Sequence, residues 1–245
     1  MEHIAIISDV HGNMTAYEAV LADIDARGIE RIFNLGDVFG KGPNGSAVVA
    51  TTRERCEATV LGNWDVLARK PREEACPPLS WWLDEMSGDD LDWVRSLPFS
   101  LDLELGGSRI RLFHASSDSV FHRVFPDPDA EEFRAMFANT EATGDGPEPD
   151  VVVYGDIHWA YIKEADGKTL VNAGSVGNPL DEPTAAYAIL GNGAAEDGVQ
   201  VEIVRVPYDI EREIGIAAEM GMPELEAYAV ELRTSVYRGI QARSS

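Results

Sequence analysis

Two hydrophobic periods alternate along the first third of this chain. Residues 4–8 form a short β-branched run suited to a buried strand. Tyr17, Val20, Leu21 and Ile24 then keep the i, i+3, i+4, i+7 spacing of a helix with one apolar face. Asn13 stands where it can cap that helix, and Gly28 where it can end it. Residues 31–35 predict a second strand, followed by a loop over 36–43. A helix from an Asn44 cap to about Arg55 and a strand over 58–61 complete the series. This βαβαβ rhythm predicts parallel pairing with helices on the sheet faces.

The middle of the chain predicts short helices over 79–86 and 89–97, the second closed by Pro98. Strands 101–105 and 109–113 flank Gly106-Gly107-Ser108, a hairpin signal, and 129–139 predicts a helix. Strands follow over 151–154, 169–172, 185–190 and 199–206. The tail carries helices over 210–220 and 223–240, with Pro223 at a first helical position. The expectation is one α/β domain over 1–208, with 209–245 as a C-terminal helical extension packed on it.

Composition narrows the class. At 245 residues and 44% hydrophobic, the chain can bury a full single-domain core. No apolar run approaches the roughly 20 residues of a membrane helix. The start has no basic region and no cleavage site, so no signal peptide is expected. Cys56 and Cys76 form no CxxC pair and are expected to be idle thiols in a cytoplasmic protein. The net charge of −23 argues against a nucleic acid polymer or an anionic membrane as partner. An acidic, Lys-poor surface suits a salty cytoplasm; a GC-rich genome gives the same bias.

Candidate chemistry lies where the strand-like runs end. Asp9 and His11, two residues apart in extended chain, can point the same way and meet one cation. Asp37, Asn63, His114, Asp156 and His158 each follow a further run, and in open α/β sheets such positions gather on one rim. Carboxylate, amide oxygen and imidazole together suit divalent Mn, Fe or Zn. Two such ions can activate a water and clamp a phosphoryl group.

With Asp9-Val10-His11, Gly36-Asp37, Gly62-Asn63-Trp64-Asp65, His114 and Gly155-Asp156-Ile157-His158 in this order, the chain resembles the calcineurin-like metallophosphoesterases, in their compact bacterial phosphodiesterase group. The flanks Gly40-Lys41-Gly42-Pro43 and Asn172-Ala173-Gly174-Ser175 agree as well. The resemblance implies a four-layer α/β/β/α sandwich holding two divalent ions, Mn2+ or Fe2+, with Mg2+, Zn2+ and Ni2+ compatible. It assigns Asp9, His11 and His158 to one ion, Asn63 and His114 to the other, and Asp37 to the bridge. Asp37, Asn63 and His158 would also serve catalysis.

Two positions depart from the family pattern. Asp156 stands where the family has a histidine ligand, and either ligates directly or reaches an ion through water. Trp64 stands where the family has its general acid. An indole is no proton donor, and losing such an acid typically lowers a rate by ~10²–10⁴. Weakly basic leaving groups suffer least, which favours nucleotide polyphosphates or activated diesters. Trp64 either offers a stacking face or fills a hydrophobic wall. Asn13, Lys41, His122 and Arg123 are further substrate-side candidates, and Asn172 and Ser175 are candidates for orienting the ligands. The expected function is hydrolysis of a small phosphodiester or nucleotide-type phosphoanhydride. The rival expectation is a catalytically impaired metal-binding relative that binds a phosphate ligand or regulates.

Overall fold

The computed structural model describes residues 2–192 and 198–241. Strands β1 (His3–Ile7), β2 (Arg31–Asn34) and β3 (Ala58–Thr59) are parallel, with helices α1 (Met14–Ala26) and α2 (Gly45–Arg55) between them. β9 (Ala185–Asn192) and β10 (Val199–Val206) add antiparallel to β1, giving the order β10-β9-β1-β2-β3. The second sheet runs β4-β5-β6-β8-β7, from β4 (Ser100–Leu105), β5 (Ser108–Phe113), β6 (Val151–Tyr154), β7 (Tyr161–Ala165) and β8 (Lys168–Asn172).

Strand alternation sorts the side chains into layers. Ile4 and Ile6 of β1 meet Ile110 and Leu112 of β5 and Val151 and Val153 of β6 between the sheets. Ala5 and Ile7 point the other way, into a core with α1, α2, α4 (Pro77–Glu85) and α5 (Gly88–Arg95). Beyond the second sheet, Val152 and Tyr154 pack under Phe133 and Phe137 of α6 (Ala130–Phe137). The result is the expected α/β/β/α sandwich, one α/β domain. A short α3 (Asn63–Leu67) follows β3, and the tail adds α7 (Ile210–Glu219), α8 (Leu225–Thr234) and α9 (Arg238–Gln241). Among the described residues, no helix is long and apolar enough to cross a membrane.

Three local expectations need correction. β3 stops at Thr59 rather than running to residue 61. The last predicted helix is two: α8 starts after Glu224 rather than at Pro223, and left-handed Ser235 ends it. Its break has a cause in the Glu231 side chain, which accepts from the Arg238 backbone N–H at 2.7 Å and its guanidinium at 2.7 Å, turning the chain back. Asn44 makes no side-chain cap; Glu85 of α4 accepts from Ser46 N–H at 2.9 Å instead. The sequence reading also missed β7, a half-exposed edge strand. The Asp166-Gly167 turn behind it, with both φ positive, is a hairpin signal.

Candidate metal centre

Every expected ligand lies just beyond the C-terminal end of a strand, where the two sheets meet. Asp9 and His11 follow β1, Asp37 follows β2, His114 follows β5, and Asp156 and His158 follow β6. Asn63 opens α3 a few residues past β3. Backbone bonds stitch the rim together: Val176 N–H donates to Ser8 O at 2.9 Å, Gly177 N–H to Asp9 O at 3.0 Å. Asn172 donates to Gly155 O at 2.6 Å and Ser175 to Asp9 O at 2.8 Å, so both hold ligand-bearing backbone.

The loops that carry the ligands are conformationally demanding. Asp9, His11, Asp37, Lys41, Asp156 and His158 all lie at φ between +48° and +62°. Such left-handed non-glycine residues gather where function over-determines the backbone. Close approach explains the glycine before Asn63: a Cβ on Gly62 would collide with the Asp37 carboxylate. On Gly155 it would collide with Ser8 and Asp9.

The three histidines share one arrangement. His11 Nδ1 faces Phe39 O at 3.3 Å, His114 Nδ1 faces Leu35 O at 2.8 Å, and His158 Nδ1 faces Asn178 O at 2.5 Å. Each carbonyl can accept from Nδ1–H, which turns Nε2 inward toward the carboxylates. His158 Nε2 lies 3.2 Å from Asp9 Oδ1 and 3.2 Å from His11 Nε2. Asp37 Oδ2 stands 3.5 Å from both His11 Nε2 and His114 Nε2, between the two halves. Asp9, His11 and His158 form one compact ligand group, and Asp9, Asp37 and His114 a second. Asp156 Oδ1 is 3.7 Å from His114 Nε2 and accepts from the Asn63 amide. Asp9 Oδ1, His114 Nε2 and Asp156 Oδ2 are buried without a hydrogen-bond partner. Of these, Asp9 and His114 belong to one compact group with Asp37, which fits a divalent cation, while Asp156 Oδ2 faces Arg123.

The buried charges of this cluster perturb one another. Burial would raise the Asp9 carboxyl, but His158 and His11 hold it well below the usual carboxylate range. Burial pushes Asp37 well up, with neighbouring Asp9 adding to the rise. Burial disfavours a charged His114, yet the Asp37, Asp9 and Asp156 carboxylates raise it to about 9. Burial and the Lys41 cation push His11 down.

The softer candidates separate. Lys41 is buried, 3.4 Å from His158 Nε2 and donating to Asn178 Oδ1 at 3.0 Å. Arg123 Nε lies 3.4 Å from Asp156 Oδ2. Trp64 N–H donates to Asp37 at 2.8 Å, while its ring packs edge-on to His11 and Trp82 at 5.7 and 5.5 Å. His122 instead pairs with Asp118 at 3.4 Å in a separate surface cavity. The Asn13 side chain is committed to Ala16 N–H and Gly177 O, at 2.9 and 2.8 Å.

Three supporting residues escaped the sequence reading. Asp65 accepts from Asp37 N–H at 2.8 Å and Gly62 N–H at 2.9 Å, fixing the bridging loop; its place in the Gly-Asn-Trp-Asp segment was the available signal. Asn178 joins Lys41 and His158 to buried Glu231, whose Oε2 accepts from Asn178 at 3.3 Å. Neither Asn178 nor Glu231 carries a local sequence signal.

A family model described as the calcineurin-like phosphoesterase superfamily domain matches residues 1–192. An uncharacterised protein of Methanocaldococcus jannaschii is 29% identical over 90% of this chain and 94% of its own. The crystal structure of a metallophosphoesterase from Sphaerobacter thermophilus superposes with a TM-score of 0.77 at 26% identity, covering 96% of this chain and 99% of that one. A hypothetical protein of Pyrococcus horikoshii has the same fold, with a TM-score of 0.76 at 17% identity over 97% of this chain and all (100%) of its own.

Proposed function

Because the chain belongs to the calcineurin-like phosphoesterase superfamily, we propose that it is a metal-dependent hydrolase of a small phosphodiester or nucleotide-type phosphoanhydride, working with two divalent ions. The observation that supports this reading is the set of three carbonyl-anchored histidines whose Nε2 atoms face Asp9, Asp37 and Asp156. Bound divalent cations would supply positive charge for the phosphoryl oxygens and lower the pKa of a water.

The chain's own residues do the positioning. Asp9, His11 and His158 would hold one ion; His114, with Asn63 and Asp156, the other. Asp37 would lie between them, its loop fixed by Asp65. Lys41 and Arg123 provide positive charge toward phosphate on the side of His158 and Asp156. No side chain at Trp64 can protonate a leaving oxygen, so substrates with weakly basic leaving groups suit the site. Mn2+ or Fe2+ fits the mixed oxygen and nitrogen donors, and Asp156 in place of imidazole shifts preference from Zn2+ toward Mn2+ or Mg2+. The acidic surface leaves a small phosphorylated substrate, in a cytoplasmic setting, as the natural partner.

The test is turnover of bis(p-nitrophenyl) phosphate with Mn2+, compared with the Asp37→Asn variant. Metal-dependent turnover lost in the variant is expected. Metal binding without turnover of this or any anhydride substrate would leave the rival, a phosphate-binding or regulatory protein.

A further inference from the structure

Beside the ligand set a cavity of about 450 Å³ opens, with Asp156 and His158 at its inner end. That volume suits one small organic ligand. Three aromatic rings form its walls and are left open to solvent: Phe125 is 58% exposed, Trp159 49% and Tyr237 41%. Aromatic surface grouped in this way marks a binding site. Lys41 and Arg123 also line the cavity, and Asp156 is the one acid among its described lining residues, in a chain of net charge −23.

The far wall comes from outside the segment that matches the family model, which ends at residue 192. Left-handed Ser235 turns the chain after α8 and sets Val236 and Tyr237 over the cavity. Buried Glu231 fixes this turn through Arg238, and reaches Asn178, which in turn holds Lys41. One hydrogen-bonded chain therefore links the turn that carries Tyr237 to Lys41 beside His158.

We infer that this cavity is a subsite for a planar aromatic substituent, aryl or nucleobase, on the phosphoester. The substituent lies among Phe125, Trp159 and Tyr237 while its phosphate reaches Lys41, Arg123 and the ligand set. The inference rests on the phosphoesterase reading above. Flat rings favour a flat partner: stacking on aromatic side chains is tolerant of base identity and worth about tenfold or more in affinity per ring.

The experiment is calorimetric binding of methylphosphonate, hexylphosphonate, phenylphosphonate and AMP to the full chain loaded with Mn2+. Turnover of bis(p-nitrophenyl) phosphate is measured alongside. Phenylphosphonate should bind about tenfold tighter than methylphosphonate, and Trp159→Ala and Tyr237→Ala should each erase most of that advantage while leaving methylphosphonate unchanged. AMP binding tighter than phenylphosphonate assigns the subsite to a nucleobase, and the reverse order to a simple aryl group. Turnover with equal binding of phenyl and methyl ligands, or with the hexyl ligand tightest, overturns the subsite alone. No phosphonate binding and no turnover would sink the phosphoesterase reading and the subsite with it.

Discussion

Arg123 Nε stands 3.4 Å from Asp156 Oδ2, joining a half-exposed guanidinium to a carboxylate buried in the ligand set. Asp156 adds a negative charge to a cluster that already holds Asp9 and Asp37. Arg123 returns a positive charge at the same place. In the proposed function an arriving phosphate would compete with Asp156 for that guanidinium, since bidentate Arg–phosphate contacts are among the stronger charge-assisted bonds.

Asp156→His should therefore change metal preference and free Arg123 together. Imidazole is the softer ligand, so affinity for Zn2+ relative to Mg2+ should rise by about tenfold or more. Competitive metal titration reads this out directly. An unchanged preference would show that the side chain does not ligate.

Trp64→His tests the missing acid. The Trp64 backbone N–H already bonds Asp37, which fixes this position over the centre. A histidine here should raise the hydrolysis of alkyl esters by up to ~10²-fold, and that of p-nitrophenyl esters far less. The same change empties the space between His11, Gly40 and Trp82, and should destabilise the fold by about 1–3 kcal/mol. Equal gains across a leaving-group series would place the acid elsewhere.

The sequence made the clustering of the candidate ligands legible because each sits on a loop past a strand end, with Gly62 and Gly155 where Asp37 and Asp9 crowd in. The unbroken apolar run from Ile4 to Ile7 likewise announced a buried strand, and it is buried on both faces. What it hid depends on distant contacts. Asn178 and Glu231 act through partners far away in the chain, and no local pattern marks them. Tyr237 lines the cavity from a turn held by the pair Glu231 and Arg238, where the sequence predicts an unbroken helix over 223–240. Trp64 reads as a site residue by motif, yet its ring packs against Trp82 of the hydrophobic core.

Glu85 sets a pH dependence remote from the site. Half-buried against Ser46 at the start of α2, its carboxyl is raised by burial from 4.5 to about 7. The folded state thus holds this proton more tightly than the unfolded chain does. The contribution to stability is full below about 4.5 and is lost as pH rises through about 7. Glu85→Gln keeps an acceptor for Ser46 N–H and cannot ionise. It should match the parent at pH 4.5 and exceed it by about 1–2 kcal/mol at pH 8.5, a value discounted for partial solvent screening. Urea midpoints at both pH values measure it; an equal gap at both would exclude Glu85 as the titrating group.

Salt should stabilise this protein. Its net charge of −23 is an excess of like charge that repels itself at low ionic strength. Salt also weakens attraction, and the surface carries ion pairs such as Arg233 with Glu211 at 2.6 Å and Arg31 with Glu2 and Glu57 at 2.6 and 2.7 Å. Exposed pairs of this kind contribute about 0–1 kcal/mol each, and part of that survives screening because the contact is short. Repulsion summed over the excess acids acts at longer range, where screening is most effective. The Debye length falls from roughly 30 Å at 0.01 M to roughly 3 Å at 1 M, so molar salt removes most of the repulsion and only part of the pairing. The Tm should rise by on the order of 5 °C between 10 mM and 1 M KCl, about 1–2 kcal/mol for a domain of this size. The on-rate of an anionic substrate should not fall over the same range, because the field it crosses is repulsive until it meets Lys41, Arg123 and the metal centre. A Tm that is flat or falls would mean that the ion pairs outweigh the excess charge. A substrate on-rate that falls with salt would mean that the cations beside the cavity, rather than the net charge, govern encounter.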